Sequence, residues 1–124
     1  MQVIHAWPPG AEALAAEQAR LAAVTPPPWR PSAHRLRVAA GFVAFVRGEQ
    51  GPGHPGDQAW VGAVVVHNER VVRVRTVLGE AAASYAPGLL ALREGPMLAA
   101  ALGPLVPDAD VLMVDATGRD HPRR

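Results

Sequence analysis

Two carboxylates lie in apolar stretches of this sequence. Glu94 follows Arg93 within the run LLALREGPMLAA (residues 89–100), and Asp115 directly follows the run VLMV. A buried carboxylate is costly unless it is paired or binds a cation, and ligands of α/β sheets collect beyond the carboxyl ends of strands. Glu94 and Asp115 would together offer the hard oxygen ligands that Mg²⁺ or Mn²⁺ prefers. Such ions activate water and stabilise charge in phosphodiester cleavage.

Each carboxylate also has an ordinary structural interpretation. Glu94 would be favoured near the N-terminus of a helix by the helix dipole, or could form a local ion pair with Arg93. Asp115 could cap the turn that follows its strand, since Asp is a common turn residue. From pattern alone, both interpretations stay open.

The other candidates carry weaker signals. Tyr85 is the only tyrosine; its ring could stack on a nucleobase or lie at the rim of the core. We expect Arg73 and Arg75 to lie on the solvent face of an edge strand, with phosphate binding as the alternative. The five histidines share no spacing typical of a zinc site.

Composition limits the class of protein. A chain of 124 residues that is 49% hydrophobic is at most one small domain with a real core. The absence of cysteine excludes disulfides and thiol nucleophiles. No apolar run is long enough to cross a membrane, and no signal peptide is visible. We therefore expect a soluble, cytoplasmic protein. All of its basic side chains except histidine are arginine. A genome-wide composition bias is the simpler explanation, although arginine does hold phosphates through its fork of donors.

The first half of the chain predicts a helix and an antiparallel meander. Residues 11–24 are rich in helix formers with helical spacing, and the proline-rich segment 25–35 reads as a connector. Strands follow at 36–47, 59–67 and 71–78, the last two joined by a tight turn at His67–Arg70. In the first strand, the alternation predicts one face made of Leu36, Val38, Ala40, Phe42 and Ala44.

The second half predicts a helix and a further strand. Pro96 suits the first turn of a helix, where its missing amide costs nothing, and Gly103-Pro104 would end that helix. Val111 to Val114 read as a strand covered on both faces, as in parallel pairing beside a helix. The order gives an α/β fold, the opening half of a ribonuclease-H-like layout. The chain would be one partial domain, with its sheet and helix core at 36–124.

Two segments, taken together, resemble the signature regions of the endonuclease V family (deoxyinosine 3′ endonuclease). YAPGLLALREGPMLAA is similar to a Pro-Tyr-Ile-Pro-Gly segment that runs into Phe-Arg-Glu-x-Pro, and VLMVDATGRDHPRR is similar to Val-Asp-Gly-x-Gly-x-x-His-Pro-Arg. The positions that match are Tyr85, Pro87, Gly88, Arg93, Glu94, Pro96, Asp115, Gly118, His121, Pro122 and Arg123. Ser84, Ala86, Leu92 and Ala116 depart from the pattern.

The resemblance implies a ribonuclease-H-like fold and Mg²⁺-dependent hydrolysis of a phosphodiester near a deaminated base, chiefly inosine, in DNA or RNA. Mn²⁺ would substitute for Mg²⁺. Glu94 and Asp115 would be the catalytic, metal-binding carboxylates. Tyr85 with Pro87 would form a wedge that separates the strands while the base turns into a pocket. The nucleic-acid-binding set would be Tyr85, Pro87, Gly88, Gly118, His121 and Arg123.

The same comparison identifies two departures. Val43 occupies the position of an Asp that completes the family's metal site, unless Glu49 or Asp57 replaces it. The family also continues through further strands and helices, so this chain would leave a sheet edge open to self-association. These departures predict impaired cleavage. The alternatives are a non-catalytic nucleic-acid-binding remnant and a truncated gene product without independent function.

Overall fold

The computed structural model describes residues 7–32, 35–48 and 50–116. Its elements in chain order are α1 (Ala11–Ala22), β1 (Val38–Phe45), β2 (Gln58–His67), β3 (Arg70–Glu80), α2 (Leu90–Leu102), a 3₁₀ turn (Val106–Asp108) and β4 (Val111–Val114). Among these described residues, no helix is long and apolar enough to cross a membrane.

The four strands form one sheet in the order β3-β2-β1-β4. β1, β2 and β3 pair antiparallel, and β4 pairs parallel to β1. The β2–β3 turn places Asn68 and Glu69 at φ values of 53° and 63°, which is typical of a two-residue hairpin whose twist matches the strands. The predicted α/β class and element order, a helix, a meander, a helix and one parallel strand, are confirmed.

The core lies between α2 and one face of the sheet. Ala39, Val61 and Val65 are fully buried there and meet Met97 and Leu102 of the helix. The helix approaches β1 closely, because a Cβ added at Gly41 would lie 2.9 Å from Leu102 Cδ1. Small residues on β1 therefore set the distance between helix and sheet.

Val38, Ala40, Phe42 and Ala44 alternate along β1 as predicted and share one face, and the core lies against the opposite face. The core residues are Ala39 and Val43, whereas Phe42 is 57% exposed on the other face.

β3 is an edge strand as predicted. Its Arg73 and Arg75 pair in register with buried Val65 and Ala63 and so lie on the side of the sheet that carries α2, where Arg73 is exposed and Arg75 is partly buried. Both faces of the strands are apolar, and the close approach of α2 decides which is covered.

Pro96 lies inside α2 and not in its first turn. The proline removes one helical hydrogen bond, yet the helix runs unbroken from Leu90 to Leu102. Arg93, Gly95 and Met97 are all buried around it. We attribute the continuity to these tertiary contacts, which outweigh the local preference of proline for a helix start.

β4 is an edge strand and is not covered on both faces as predicted. Leu112, Met113 and Val114 are 49%, 60% and 42% exposed. The strand pairs with β1 on one side only, so a wholly apolar run here indicates an open surface and not a doubly buried strand.

Candidate nucleic-acid and metal site

A cleft of about 410 Å³ opens where β1, α2 and β4 come together. Glu94 and Asp115 both line it, together with Val43 and Tyr85. A neighbouring cavity of about 550 Å³ is also lined by Tyr85, Glu94 and Asp115. The structure thus brings the two predicted carboxylates and the predicted stacking ring to one place.

The parallel pairing of β1 and β4 explains this convergence. Gly41 pairs with Val114, so Asp115 follows β4 at the same sheet end towards which Val43 continues on β1. Glu94 enters from the first half of α2. Carboxyl ends of neighbouring parallel strands meet at one edge, where α/β sheets bind ligands.

Val43 contributes an apolar side chain to the lining of the cleft. Val43 is only 5% exposed and belongs to the core cluster. Within residues 7–32, 35–48 and 50–116, no group of three His, Cys, Asp or Glu side chains is placed to hold a metal ion. Of the two substitutes considered for the missing acid, Glu49 lies outside the described residues, and Asp57 does not line the cleft.

Asp57 instead pairs with Arg93, whose side chain is only 6% exposed. Arg93 Nη2 donates to Asp57 Oδ2 at 2.8 Å, and Nη1 donates to the carbonyls of His54 and Ala83. The guanidinium lies 4.0 Å from the centroid of the Phe45 ring, in the geometry of a cation–π contact. This set of contacts, called here the Arg93 clasp, joins the β1–β2 loop to the segment that precedes α2.

The clasp supports the Tyr85 segment beside the cleft. Tyr85 N donates to Pro52 O at 2.7 Å, so the backbone of Tyr85 is fixed to the same loop that holds Asp57. Tyr85 remains 46% exposed and is accessible to a base.

A side chain of α1 holds the turn that follows Tyr85. Gln18 Nε2 donates to the carbonyl of Gly88 at 3.0 Å, and Gly88 has a φ of 77°, a region that favours glycine. Pro87 is exposed on this turn. The remaining predicted nucleic-acid contacts, Gly118, His121 and Arg123, lie outside the described residues.

Sequence reasoning missed the clasp. It considered Arg93 as a local partner of Glu94, whereas the structure pairs Arg93 with Asp57, 36 positions away. The only available signal was the loop GEQGPGHPGD, whose glycines and prolines place a carboxylate and turn carbonyls close together. Arg47 also lines the cleft, and its Nε lies 3.9 Å from Asp57 Oδ2.

We expect the stability of the protein to depend on the ionisation of the Asp57 carboxyl. Hydrogen bonds hold its pKa below the usual value of 3.8, the larger effect coming from the His54 backbone N–H and the next from Arg93. A carboxyl whose pKa is lower in the folded state stabilises it above the unfolded-state pKa and loses that effect as the pH falls. We expect Asp57→Asn to lower the free energy of unfolding at neutral pH, and the difference from the unaltered protein to shrink below about pH 4. Denaturant unfolding across pH tests this, and a difference independent of pH would contradict it.

The close approach of Gly53 to the clasp gives a second prediction. A Cβ at Gly53 would lie 2.3 Å from Arg93 Nη2, whereas one at Gly51 would meet nothing within 4 Å. Both glycines have φ near 70°, at 68° and 69°. We therefore expect Gly51→Ala to cost about 1 kcal/mol of backbone strain, and Gly53→Ala to cost about 1–3 kcal/mol more through overpacking. Chemical denaturation measures both. Equal losses would mean that Gly53 is required for its φ alone.

Comparison with known proteins shows the family. The profile described as Endonuclease V matches residues 33–124. The endonuclease V of Aeropyrum pernix is 37% identical over 93 residues, which cover 73% of this chain and 34% of that protein. The catalytic domain of human endonuclease V matches with a TM-score of 0.70 and 28% identity, over 90% of this chain and 49% of that one.

A third match shows the fold alone. Endonuclease V of Ciona intestinalis, solved in complex with inosine-containing DNA, has a TM-score of 0.58 at 21% identity and covers 73% of this chain and 38% of that one. The chain thus spans between a third and a half of the length of these three proteins. With the profile match and the shared fold, the resemblance of the two signature segments is confirmed: the chain belongs to the endonuclease V family.

Proposed function

We propose that this chain acts on inosine-containing DNA or RNA as an endonuclease V-type nuclease of DNA repair, and that its cleavage is impaired. The observation that carries the proposal is that Glu94, Asp115 and Tyr85 line one cleft. Ciona endonuclease V has been solved with inosine-containing DNA, which supports the choice of substrate. We expect the cytoplasm to be the site of action.

The two carboxylates are the kind of ligand that a divalent cation prefers, but the resemblance to the family implies three such ligands. Glu94 and Asp115 supply the hard oxygen ligands that Mg²⁺ and Mn²⁺ prefer, while the buried Val43 side chain offers no ligand. Mg²⁺, with Mn²⁺ as a substitute, would be held by Glu94 and Asp115, where it would polarise a phosphate oxygen and lower the pKa of a water molecule. Two ligands in place of three predict weak binding.

The other side chains of the cleft have separable roles. The half-exposed ring of Tyr85 would stack on a base beside the lesion, a contact worth about 1–3 kcal/mol. Arg47, which also lines the cleft, would contact a backbone phosphate through charge-assisted hydrogen bonds. Extrusion of the base costs least at a deaminated position, where pairing is already weak.

Val43 also favours a second candidate, a protein that binds inosine-containing strands without cutting them. Such a protein would keep the stacking ring and the basic side chains, and its binding would fall steeply with salt. The two candidate functions differ in whether the strand is cleaved, and both include recognition of the inosine-containing strand.

The metal role can be tested without relying on turnover. We expect Mn²⁺ to raise the melting temperature of the chain, because a ligand that binds only the folded state stabilises it. Glu94→Gln and Asp115→Asn should each abolish this rise and any cleavage. Glu12→Gln, an exposed change on α1, is the matched control. Cleavage indifferent to both site substitutions would refute the assigned roles.

A further inference from the structure

The Asp57 carboxylate lies at the centre of a set of contacts that leads to Tyr85. Its Oδ2 accepts hydrogen bonds from the His54 backbone N–H and from Arg93 Nη2, each at 2.8 Å. The Asp57 side chain is only 14% exposed, and Asp57 is not among the residues that line the cleft. Asp57 would therefore act on a bound strand through the groups that it holds, and not by touching the strand.

Hydrogen bonds hold the backbone on both sides of Ser84. Arg93 Nη1 donates to the Ala83 carbonyl at 2.9 Å, and the Tyr85 N–H donates to the Pro52 carbonyl at 2.7 Å. The segment between β3 and α2, residues 81–89, is described throughout and forms neither a helix nor a strand. Contacts with the Arg93 clasp and the β1–β2 loop, and not a regular element, therefore fix the position of Tyr85.

We propose that Asp57 is a positioning residue, which acts through Arg93 and the Ala83 carbonyl to hold the Tyr85 ring ready to stack on a base. This inference rests on the proposed function, in which Tyr85 contacts the strand. Tyr85 is 46% exposed, so its order depends on how firmly its backbone segment is held. A side chain that must be ordered on binding lowers the affinity roughly 2- to 12-fold, and a ring that is already in place avoids that loss.

The charge of Asp57 would by itself have the opposite effect on strand binding. Arg47 lines the cleft, and its Nε lies 3.9 Å from Asp57 Oδ2, which is an ion pair but too long for a hydrogen bond. Removal of the carboxylate charge would therefore favour a phosphate at Arg47 and would tighten strand binding. Positioning of Tyr85 predicts weaker binding, so the direction of the change separates the two effects.

The position of the ring can be measured without nucleic acid. Tyr85 is the only tyrosine in the sequence, so incorporation of 3-fluorotyrosine gives a fluorine NMR spectrum that reports this ring alone. We expect one narrow resonance for the unaltered chain and a shifted, broadened resonance for Asp57→Asn. Spectra are recorded at a temperature where circular dichroism shows every variant to be folded, so a loss of stability does not contribute.

Two further variants complete this measurement. Asp108→Asn is the matched control, because Asp108 also pairs with an arginine, Arg73, and does not line the cleft; its resonance should match that of the unaltered chain. Arg93→Lys keeps the charge but loses the planar fork that bridges Asp57 and the Ala83 carbonyl. It should change the resonance as Asp57→Asn does, and it serves as the test if Asp57→Asn folds poorly.

The effect on recognition is measured as the affinity for an inosine-containing oligonucleotide, by fluorescence anisotropy without a divalent cation. We expect Asp57→Asn to weaken binding about 2- to 12-fold when Tyr85 is present. In a chain that carries Tyr85→Ala, the addition of Asp57→Asn should cause no further weakening, because the group that it positions is absent. A merely structural role would weaken binding equally in both chains.

Three results would overturn the proposal. They are an unchanged fluorine resonance in both Asp57→Asn and Arg93→Lys, tighter strand binding by Asp57→Asn, and equal weakening with and without Tyr85. A different result would refute the proposed function instead. If Asp57→Asn changes the resonance but Tyr85→Ala leaves the affinity for the strand unaltered, Asp57 positions the ring and the ring does not stack on a base.

Discussion

Val43→Asp should strengthen divalent-metal binding in the cleft and increase cleavage of inosine-containing strands. The substitution places a third carboxylate in a cleft already lined by Glu94 and Asp115. Changes that only reorient metal ligands alter affinity or activity by about 10–100-fold, so we expect a gain of at least about tenfold. The readouts are Mn²⁺ titration by calorimetry and the initial rate of strand cleavage.

The same substitution should destabilise the protein when no metal is present. Val43 is buried in the core cluster, and a carboxylate there would lose hydration beside two others. Metal binding should offset the loss, by about 2.7 kcal/mol at a concentration 100 times Kd. The melting temperature of Val43→Asp should therefore fall without Mn²⁺ and recover with it.

Val43→Asn is the matched control for this prediction. It has the same size and a similar packing cost, but it brings no negative charge. If Val43→Asn gains as much metal affinity as Val43→Asp, the missing charge does not explain the weak site. If neither variant gains, the assignment of position 43 to the metal site is wrong.

Arg93→Met should cause a large loss of stability. The Arg93 guanidinium supplies donors to Asp57, His54 O and Ala83 O, and methionine would leave a carboxylate and two carbonyls without them. Arg93 is buried, whereas Asp57 is partly solvated and keeps its hydrogen bond from the His54 backbone N–H. We therefore expect a loss of about 1–3 kcal/mol, the cost of leaving buried polar groups without partners. Arg93→Lys should retain part of the stability, because lysine keeps the charge but loses the planar fork and its stacking on Phe45.

Arg20→Met separates this effect from the general loss of an arginine. Arg20 pairs with Glu17 on the exposed surface of α1, where solvent screens the pair and leaves it little effect on stability. Chemical denaturation of Arg93→Met, Asp57→Asn and the double variant would measure the coupling between the partners. Losses for Arg93→Met no greater than for Arg20→Met would show that the clasp does not stabilise the fold.

The sequence predicted the element order because that order depends on local signals. Strand alternation, the His67–Arg70 turn and the helix formers before the proline-rich connector each act within a few residues. Glu94 and Asp115 could be singled out as candidate site residues for a related reason, because a carboxylate in or beside an apolar run stands out in the sequence. Their shared cleft depends on parallel pairing of β1 with β4, which the apolar run at 111–114 also predicted.

The remaining features depend on contacts between distant parts of the chain. The buried face of β1 is decided by the approach of Leu102 to Gly41, and both faces carry apolar residues. The helix continues through Pro96 because of tertiary packing, which the local conformational preferences of the residues do not indicate. The pairing of Arg93 with Asp57 joins a helix to a loop, and nothing in their spacing marks them as partners.

The most direct test of the account is to incubate the 124-residue chain with a labelled oligonucleotide that contains one inosine, in the presence of Mn²⁺. A strand with guanosine at the same position is the control, and mobility shift and cleavage are followed together. We expect preferential retention of the inosine strand, with slow cleavage that Glu94→Gln abolishes. Equal retention of both strands, or rapid cleavage that persists in Glu94→Gln, would contradict it.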